Sequence, residues 1–117
     1  MLFRSLELSS ATLAPGEALE IRATLHNRGA REATELAQLY IHDRVASITP
    51  PLRQLKDWHH VTLAPGASAE VEFTVRAADL AFVGSDCRWT IEPGAFDLWV
   101  GPNAEEGLHA EFTLISI

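Results

Sequence analysis

A single cysteine, Cys87, is all the thiol chemistry this chain of 117 residues has, and one thiol cannot close an intramolecular disulfide. That fits either a reducing compartment or an exported domain that holds together without bridges. No apolar run is long enough to span a bilayer, and the opening stretch MLFRSLELSS has no apolar core of signal-peptide length. Basic residues are in deficit: nine Lys and Arg against sixteen Asp and Glu leave a net charge of −7. Such a surface repels phosphate backbones and anionic lipid, so neither nucleic acid nor a membrane is expected as a partner. Blocks of like charge are missing as well, the densest acidic spot being Glu105-Glu106, which reads as a solvated loop. There is no Asn-x-Ser/Thr acceptor, because Asn27 precedes Arg-Gly and Asn103 precedes Ala-Glu.

What is present is enough for one folded domain. Apolar residues make up 47% and charged residues 21%, which excludes a disordered chain and supplies one core. The pentapeptide TLAPG occurs twice, at Thr12–Gly16 and Thr62–Gly66. Proline presets φ for the second position of a turn, and glycine takes the positive φ that a type II turn requires next, so Gly16 and Gly66 are expected at positive φ. Alternation of period two follows each copy. Leu19, Ile21, Ala23 and Leu25 alternate with Glu20, Arg22, Thr24 and His26; Ala69, Val71, Phe73 and Val75 alternate with Glu70, Glu72, Thr74 and Arg76. One face to a core and one to water marks an antiparallel strand. The repeat is therefore a turn-then-strand unit used twice, and two copies with unlike segments between them are not a solenoid.

The rest of the chain reads the same way. Leu6 and Leu8 suggest a short first strand, and Asn27-Arg28-Gly29 a turn. Leu36–His42 is apolar on both faces and is expected to be a central strand. Pro50-Pro51 breaks any ladder, since proline has no N–H to donate. Leu52–Val61 holds another strand, and Ala77–Phe82 a helical turn at a crossover. Arg88–Glu92 and Ala95–Val100 are strands about a turn at Pro93-Gly94, and Leu108–Leu114 is the last. Seven or eight short antiparallel strands with turn signals about every ten residues predict an all-β sandwich of immunoglobulin or fibronectin type III-like type.

A second set of residues is more specific. Asn27 and Gly29, then Gln38-Leu39-Tyr40 with Asp43, then Pro51, Leu55 and Lys56, then Leu63, Pro65 and Gly66 stand in order along the chain. They are followed by Asp79, Leu80 and Phe82, then Trp89, Glu92, Pro93, Gly94, Phe96, Val100 and Gly101. This order resembles the fibronectin type III-like domain at the C-terminal end of family 3 glycoside hydrolases, the β-glucosidase and β-xylosidase group. The resemblance covers nearly the whole chain. It departs at Pro50-Pro51, where the family has Arg-Pro, and at Asp57-Trp58, where it has Gly-Phe; Arg53 keeps the family's basic charge. The resemblance implies a non-catalytic accessory domain that packs against catalytic domains and stabilises them. The nucleophile and acid/base of those hydrolases lie in the preceding domains. It also implies a periplasmic or secreted parent, with a cytoplasmic one as the alternative.

The residues themselves agree that catalysis is not here. Glycoside hydrolysis needs two carboxylates flanking the bond. Glu20, Glu70 and Glu72 fall on solvent faces, Glu92 in a turn, Asp43 at a strand end and Asp79 at a cap. His59 and His60 are adjacent and so point to opposite faces of a strand, and His26, His42 and His109 lack partners at ligand spacing along the sequence. No metal and no cofactor is expected. Cys87, after Ser85-Asp86, reads as a bystander. Phe73, Phe82, Trp89, Phe96 and Phe112 read as core. Trp99 shares a face with Asp97 and points outward, and Trp58 lies in the segment Arg44–Trp58, a loop with more apolar residues than a solvated loop needs. That segment predicts an interdomain contact through Ile48, Leu52, Arg53, Leu55, Lys56 and Trp58, joined by Trp99. The expected partner is the catalytic part of the parent. Carbohydrate is the alternative, with these aromatics as stacking platforms for a binding module that tethers an enzyme to polysaccharide.

Overall fold

A computed structural model describes residues 2–43, 54–80, 82–83, 89–90, 93–103 and 107–115. Its strands are β1 (Leu2–Leu8), β2 (Thr12–Leu13), β3 (Ala18–His26), β4 (Ala33–Asp43), β5 (Gln54–Leu63), β6 (Ser68–Arg76), β7 (Phe82–Val83), β8 (Trp89–Thr90), β9 (Gly94–Gly101) and β10 (Leu108–Leu114). A single 3-10 turn, Ala77–Leu80, follows β6 and takes the place of the expected helical turn. The strands form a three-stranded sheet in the order β1-β3-β6 and a five-stranded sheet in the order β2-β10-β9-β4-β5. Seven of them are long and three have two residues, so the expected sandwich of seven or eight strands stands with short additions.

Both copies of the repeat fold alike. The amide of Glu17 donates to the Ala14 carbonyl, and that of Ala67 to the Ala64 carbonyl, each at 3.0 Å across a Pro-Gly pair. Gly16 has φ 84° and Gly66 φ 75°, as a type II turn requires. The two strands that leave these turns are neighbours. β3 pairs with β6 antiparallel, with Leu19 opposite Val75, Ile21 opposite Phe73 and Ala23 opposite Val71. The sequence says the same thing twice because it builds two halves of one hydrogen-bonded pair.

The alternating residues close the core from both sheets. Leu19, Ile21, Ala23, Leu25, Val71, Phe73 and Val75 meet Ala37, Leu39, Ile41, Phe96, Leu98, Val100, Phe112 and Leu114, all within a few per cent of full burial. Each large side chain of that set contributes about 1.5–3 kcal/mol by leaving water. Phe96 and Phe112, opposite each other on β9 and β10, stack at 5.2 Å between ring centroids. The side chains of Phe82 and Trp89, also expected in the core, lie outside the described residues.

A buried amide joins the two sheets. Asn27, at the end of β3, is 2% exposed. Its Nδ2 donates to the carbonyls of Arg31 at 2.8 Å and Leu63 at 2.9 Å, while its Oδ1 accepts from the Gly29 amide. Its backbone is bonded both ways to the second repeat, donating to Ala67 and accepting from Gly66. Asn27 and Gly29 thus form a polar joint that satisfies backbone groups no strand can reach. A Cβ at Gly29 would stand 3.2 Å from Asn27 Oδ1, inside the ordinary contact distance.

One expectation is corrected. The segment Arg44–Trp58 is not a loop to its end: β5 begins at Gln54, within the strand expected over Leu52–Val61, so Leu55, Lys56 and Trp58 stand on a strand paired with β4. A register shift between Leu39 and Tyr40 lets β5 pass from Asp57 to Leu55 across one β4 step, which accommodates Lys56 as an extra residue. Ile48, Leu52 and Arg53 lie outside the described residues, as does Cys87. Strands do stand on either side of Pro93-Gly94, as expected, and they belong to different sheets. β8 pairs with β7 in a separate two-stranded sheet, and Gly94, at φ 147°, begins β9.

Candidate functional site

Residues directly opposite in an antiparallel sheet share a face, so register alone shows what the sandwich presents to its surroundings. With Ala37, Leu39 and Ile41 turned into the core, β4 turns Leu36, Gln38, Tyr40 and His42 outward. Across from them on β5 stand His60 opposite Leu36, Trp58 opposite Gln38 and Leu55 opposite Tyr40. On the other side, β9 places Trp99 opposite Tyr40 and Asp97 opposite His42. Next, β10 places His109 opposite Trp99 and Glu111 opposite Asp97. The outer face of the five-stranded sheet is therefore a continuous field: Leu55, Tyr40, Trp99 and His109 in one row across four strands, with Trp58 beside it.

Exposure is high for such side chains. Trp58 is 53% and Leu55 46% exposed, although both are on a strand paired with β4. Tyr40 is held by its hydroxyl, which donates to Gln38 Oε1, and Gln38 Nε2 donates to the Pro102 carbonyl at 2.7 Å. The Trp99 and His109 rings lie 5.2 Å apart, tilted by 33°. His109 Nε2 meets Asp97 Oδ1 at 2.8 Å, and Asp97 is only 8% exposed. The row thus has an apolar end at β5 and a polar end at β9 and β10.

The structure brings Leu55, Trp58 and Trp99 to this one face. It also places His59 and His60 on opposite faces. His60 shares the outer row of Leu36, while His59 turns the other way and stacks on Phe73 at 4.9 Å. Sequence spacing missed the grouping of Asp97, His109 and Glu111, whose donor atoms lie within 4.8 Å of one another. No motif along the chain signals it, because the residues come from two strands and meet only through their register.

The other outer face is built of charges. On β3, Arg22 lies 3.5 Å from Glu72 and 3.8 Å from Glu70, and Thr74 donates to Glu20 at 2.9 Å. Glu20, Glu70 and Glu72 are exposed, as their strand phase predicts. Their contacts are with Arg22 and a hydroxyl, and solvent reaches all of them.

Comparison with known proteins places this geometry. Residues 35–104 match the family model of the fibronectin type III-like domain. A periplasmic β-glucosidase of Salmonella typhimurium is 30% identical over 108 residues, which is 92% of this chain and 14% of that protein. The structure of a β-glucosidase from Listeria innocua in complex with gluconolactone superposes on 97% of this chain with a TM-score of 0.86 at 29% identity. A β-glucosidase from Erythrobacter marinus does so with a TM-score of 0.90 at 25% identity. The chain spans 15–16% of the length of those two structures.

Proposed function

This chain belongs to the fibronectin type III-like domain family, in the form carried by family 3 β-glucosidases, and on that premise we propose that it is the non-catalytic accessory domain of such an enzyme. It packs against the catalytic domains and stabilises them. The observation that carries this reading is the exposed Trp58 and Leu55 on a paired strand, in one field with Tyr40 and Trp99. Apolar surface left in water costs about 25 cal/mol per Å², and a contiguous patch of it marks an interaction site. Leucines set among the aromatics favour a protein surface over a sugar, whose hydroxyls need polar neighbours. The proposed contact also takes in Lys56 on β5 and Ile48, Leu52 and Arg53, which lie outside the described residues. The Salmonella relative supports a periplasmic or secreted location for the parent.

The test is association in trans. The catalytic portion of the cognate enzyme, made without this domain, is titrated with the isolated chain by calorimetry. Saturable binding is expected, weakened at least tenfold by Trp58→Ala. Binding that ignores Trp58→Ala and Leu55→Ala refutes this contact. Retention of the chain on insoluble glucan or xylan, lost with Trp58→Ala, would replace docking by tethering to polysaccharide. The chain alone should turn over no nitrophenyl glucoside or xyloside above a buffer blank; turnover abolished by one carboxylate substitution would overturn the non-catalytic reading.

A further inference from the structure

We propose that the Asp57 carboxylate holds the free edge of β5 shut against the same edge of a second copy of this chain. β5 ends the five-stranded sheet: β4 is bonded to one side of it, and no strand is bonded to the other among the described residues. An unpaired edge offers alternate amides and carbonyls to any strand that approaches, and a long edge with apolar side chains is the one that joins. β5 has ten residues and exposes Leu55 and Trp58. The other edges of the two main sheets carry plain obstacles. β2 has two residues, β1 is interrupted by a register shift between Arg4 and Glu7 with Ser5 at φ 53°, and β6 turns Glu70, Glu72 and Arg76 to water.

The obstacle on β5 is a side chain. Amides in an antiparallel ladder point alternately toward the paired strand and away from it. The Trp58 amide donates to Asp57 Oδ1 at 2.8 Å, which puts it on the side away from β4, with the amides of His60 and Thr62 in the same phase. It is the open-side amide next to the register shift that takes in Lys56, and a carboxylate already holds it. Asp57 itself stands opposite Leu39, in the cleft between the margins of the two sheets that Lys56 and Thr74 also line. A second copy is the occupant that the edge fits, because an antiparallel edge is complementary to itself about a two-fold axis. With Trp58 on that axis, the two copies would exchange both main-chain bonds of the Trp58 pair. Asp57 of each copy would then stand opposite His59 of the other, an acid against a basic ring, and these two groups already lie 3.8 Å apart within one chain. The Trp58 amide has one hydrogen, so the bond to Asp57 and the pairing of edges compete for it.

The experiment follows self-association of the full chain by sedimentation over a range of concentrations. A dimer of the unmodified chain must break two bonds to Asp57, and a hydrogen bond to a charged group is worth at least about tenfold in an equilibrium. Asp57→Ala should therefore dimerise about a hundredfold more tightly than the unmodified chain. Asp57→Asn keeps an oxygen that accepts the amide, and it should stay closer to the unmodified chain than to Asp57→Ala. In the Asp57→Ala dimer the amides of His60 and Thr62 should gain protection from hydrogen exchange as concentration rises. Proline at position 60 removes an open-side amide without touching the bonds to β4, so the double variant Asp57→Ala/His60→Pro should return to monomer. Each variant is checked for wild-type circular dichroism, and Asp57→Val is read if Asp57→Ala does not fold. Three results would overturn the proposal. Asp57→Ala could associate no more tightly than the unmodified chain. Asp57→Asn could associate as tightly as Asp57→Ala, which would assign the effect to charge and not to the held amide. Association could survive His60→Pro, which would move the contact from the edge to the outer face of Trp58 and Leu55.

Discussion

The two outer faces of this sandwich were free to be alike and are not. Inside, the sheets follow one rule: alternate residues at the heart of each strand, Leu19–Leu25 on β3, Val71–Val75 on β6, Ala37–Ile41 on β4 and Phe96–Val100 on β9, are apolar and buried. Outside, the three-stranded sheet carries Arg22 between Glu70 and Glu72, with Glu20 bonded to Thr74. The five-stranded sheet carries Leu36, Tyr40, Leu55, Trp58 and Trp99, with Asp97 tucked among them. A core demands apolar residues of any sandwich, so the inner faces say little beyond fold. The outer faces are under no such demand. On the docking we propose, their difference reports what each meets: water on one side, and on the other a surface that removes Trp58 and Leu55 from it.

That contrast can be broken in graded steps. The largest effect on stability is expected at the joint that both sheets share. Asn27→Ala removes two donors and an acceptor and leaves the carbonyls of Arg31 and Leu63 without that partner. It should destabilise by about 2–3 kcal/mol, read by urea melts, because an unsatisfied buried group costs about 1–3 kcal/mol. A loss under about 0.5 kcal/mol would mean that water replaces the side chain and the joint is not structural. Next comes the aromatic face. Trp58→Ala should weaken association with the catalytic portion by about 2 kcal/mol, the size of an anchor residue in an interface, while the free domain melts within a few degrees of wild type. The reverse pattern would assign Trp58 to the fold and not to docking.

Gly66→Ala tests the repeat rather than either face. A Cβ there meets no atom within 4 Å, so its cost comes only from φ 75° and should be about 1 kcal/mol. Gly16→Ala, in the matching turn, should cost the same; unequal costs would show that one copy bears more of the fold. The smallest effect belongs to the charged face. The ion pairs of Arg22 are about half exposed, so Arg22→Ala should change stability by less than about 0.5 kcal/mol, and less still in high salt. A larger, salt-insensitive loss would mean that this face is also covered.

Much of this was legible in residues alone. Period-two alternation placed β3 and β6, the Pro-Gly pairs placed the turns, and Leu108–Leu114 matched β10 end for end. The end of the Arg44–Trp58 segment was misread because an apolar, partly charged stretch such as LKDW looks the same in a loop as in a strand that exposes its outer face. The strands about Pro93-Gly94 were legible but their partners were not: a turn signal between two apolar runs does not say whether those runs pair with each other, and β8 pairs with β7. The outward Trp99 was legible from its phase relative to Leu98 and Val100. Its neighbours were not.

The sequence by itself determined which residues face inward, since alternation and turn chemistry are local and travel with the chain. Only the tertiary structure decided what stands beside what on the outer face. Strand order and register set those neighbours, and both are fixed by how two sheets close over a common core, not by any spacing along the chain. Thus Trp58 and Trp99 share a surface across β4, and Asp97 comes to lie between His42 and Glu111, because β9 sits between β4 and β10.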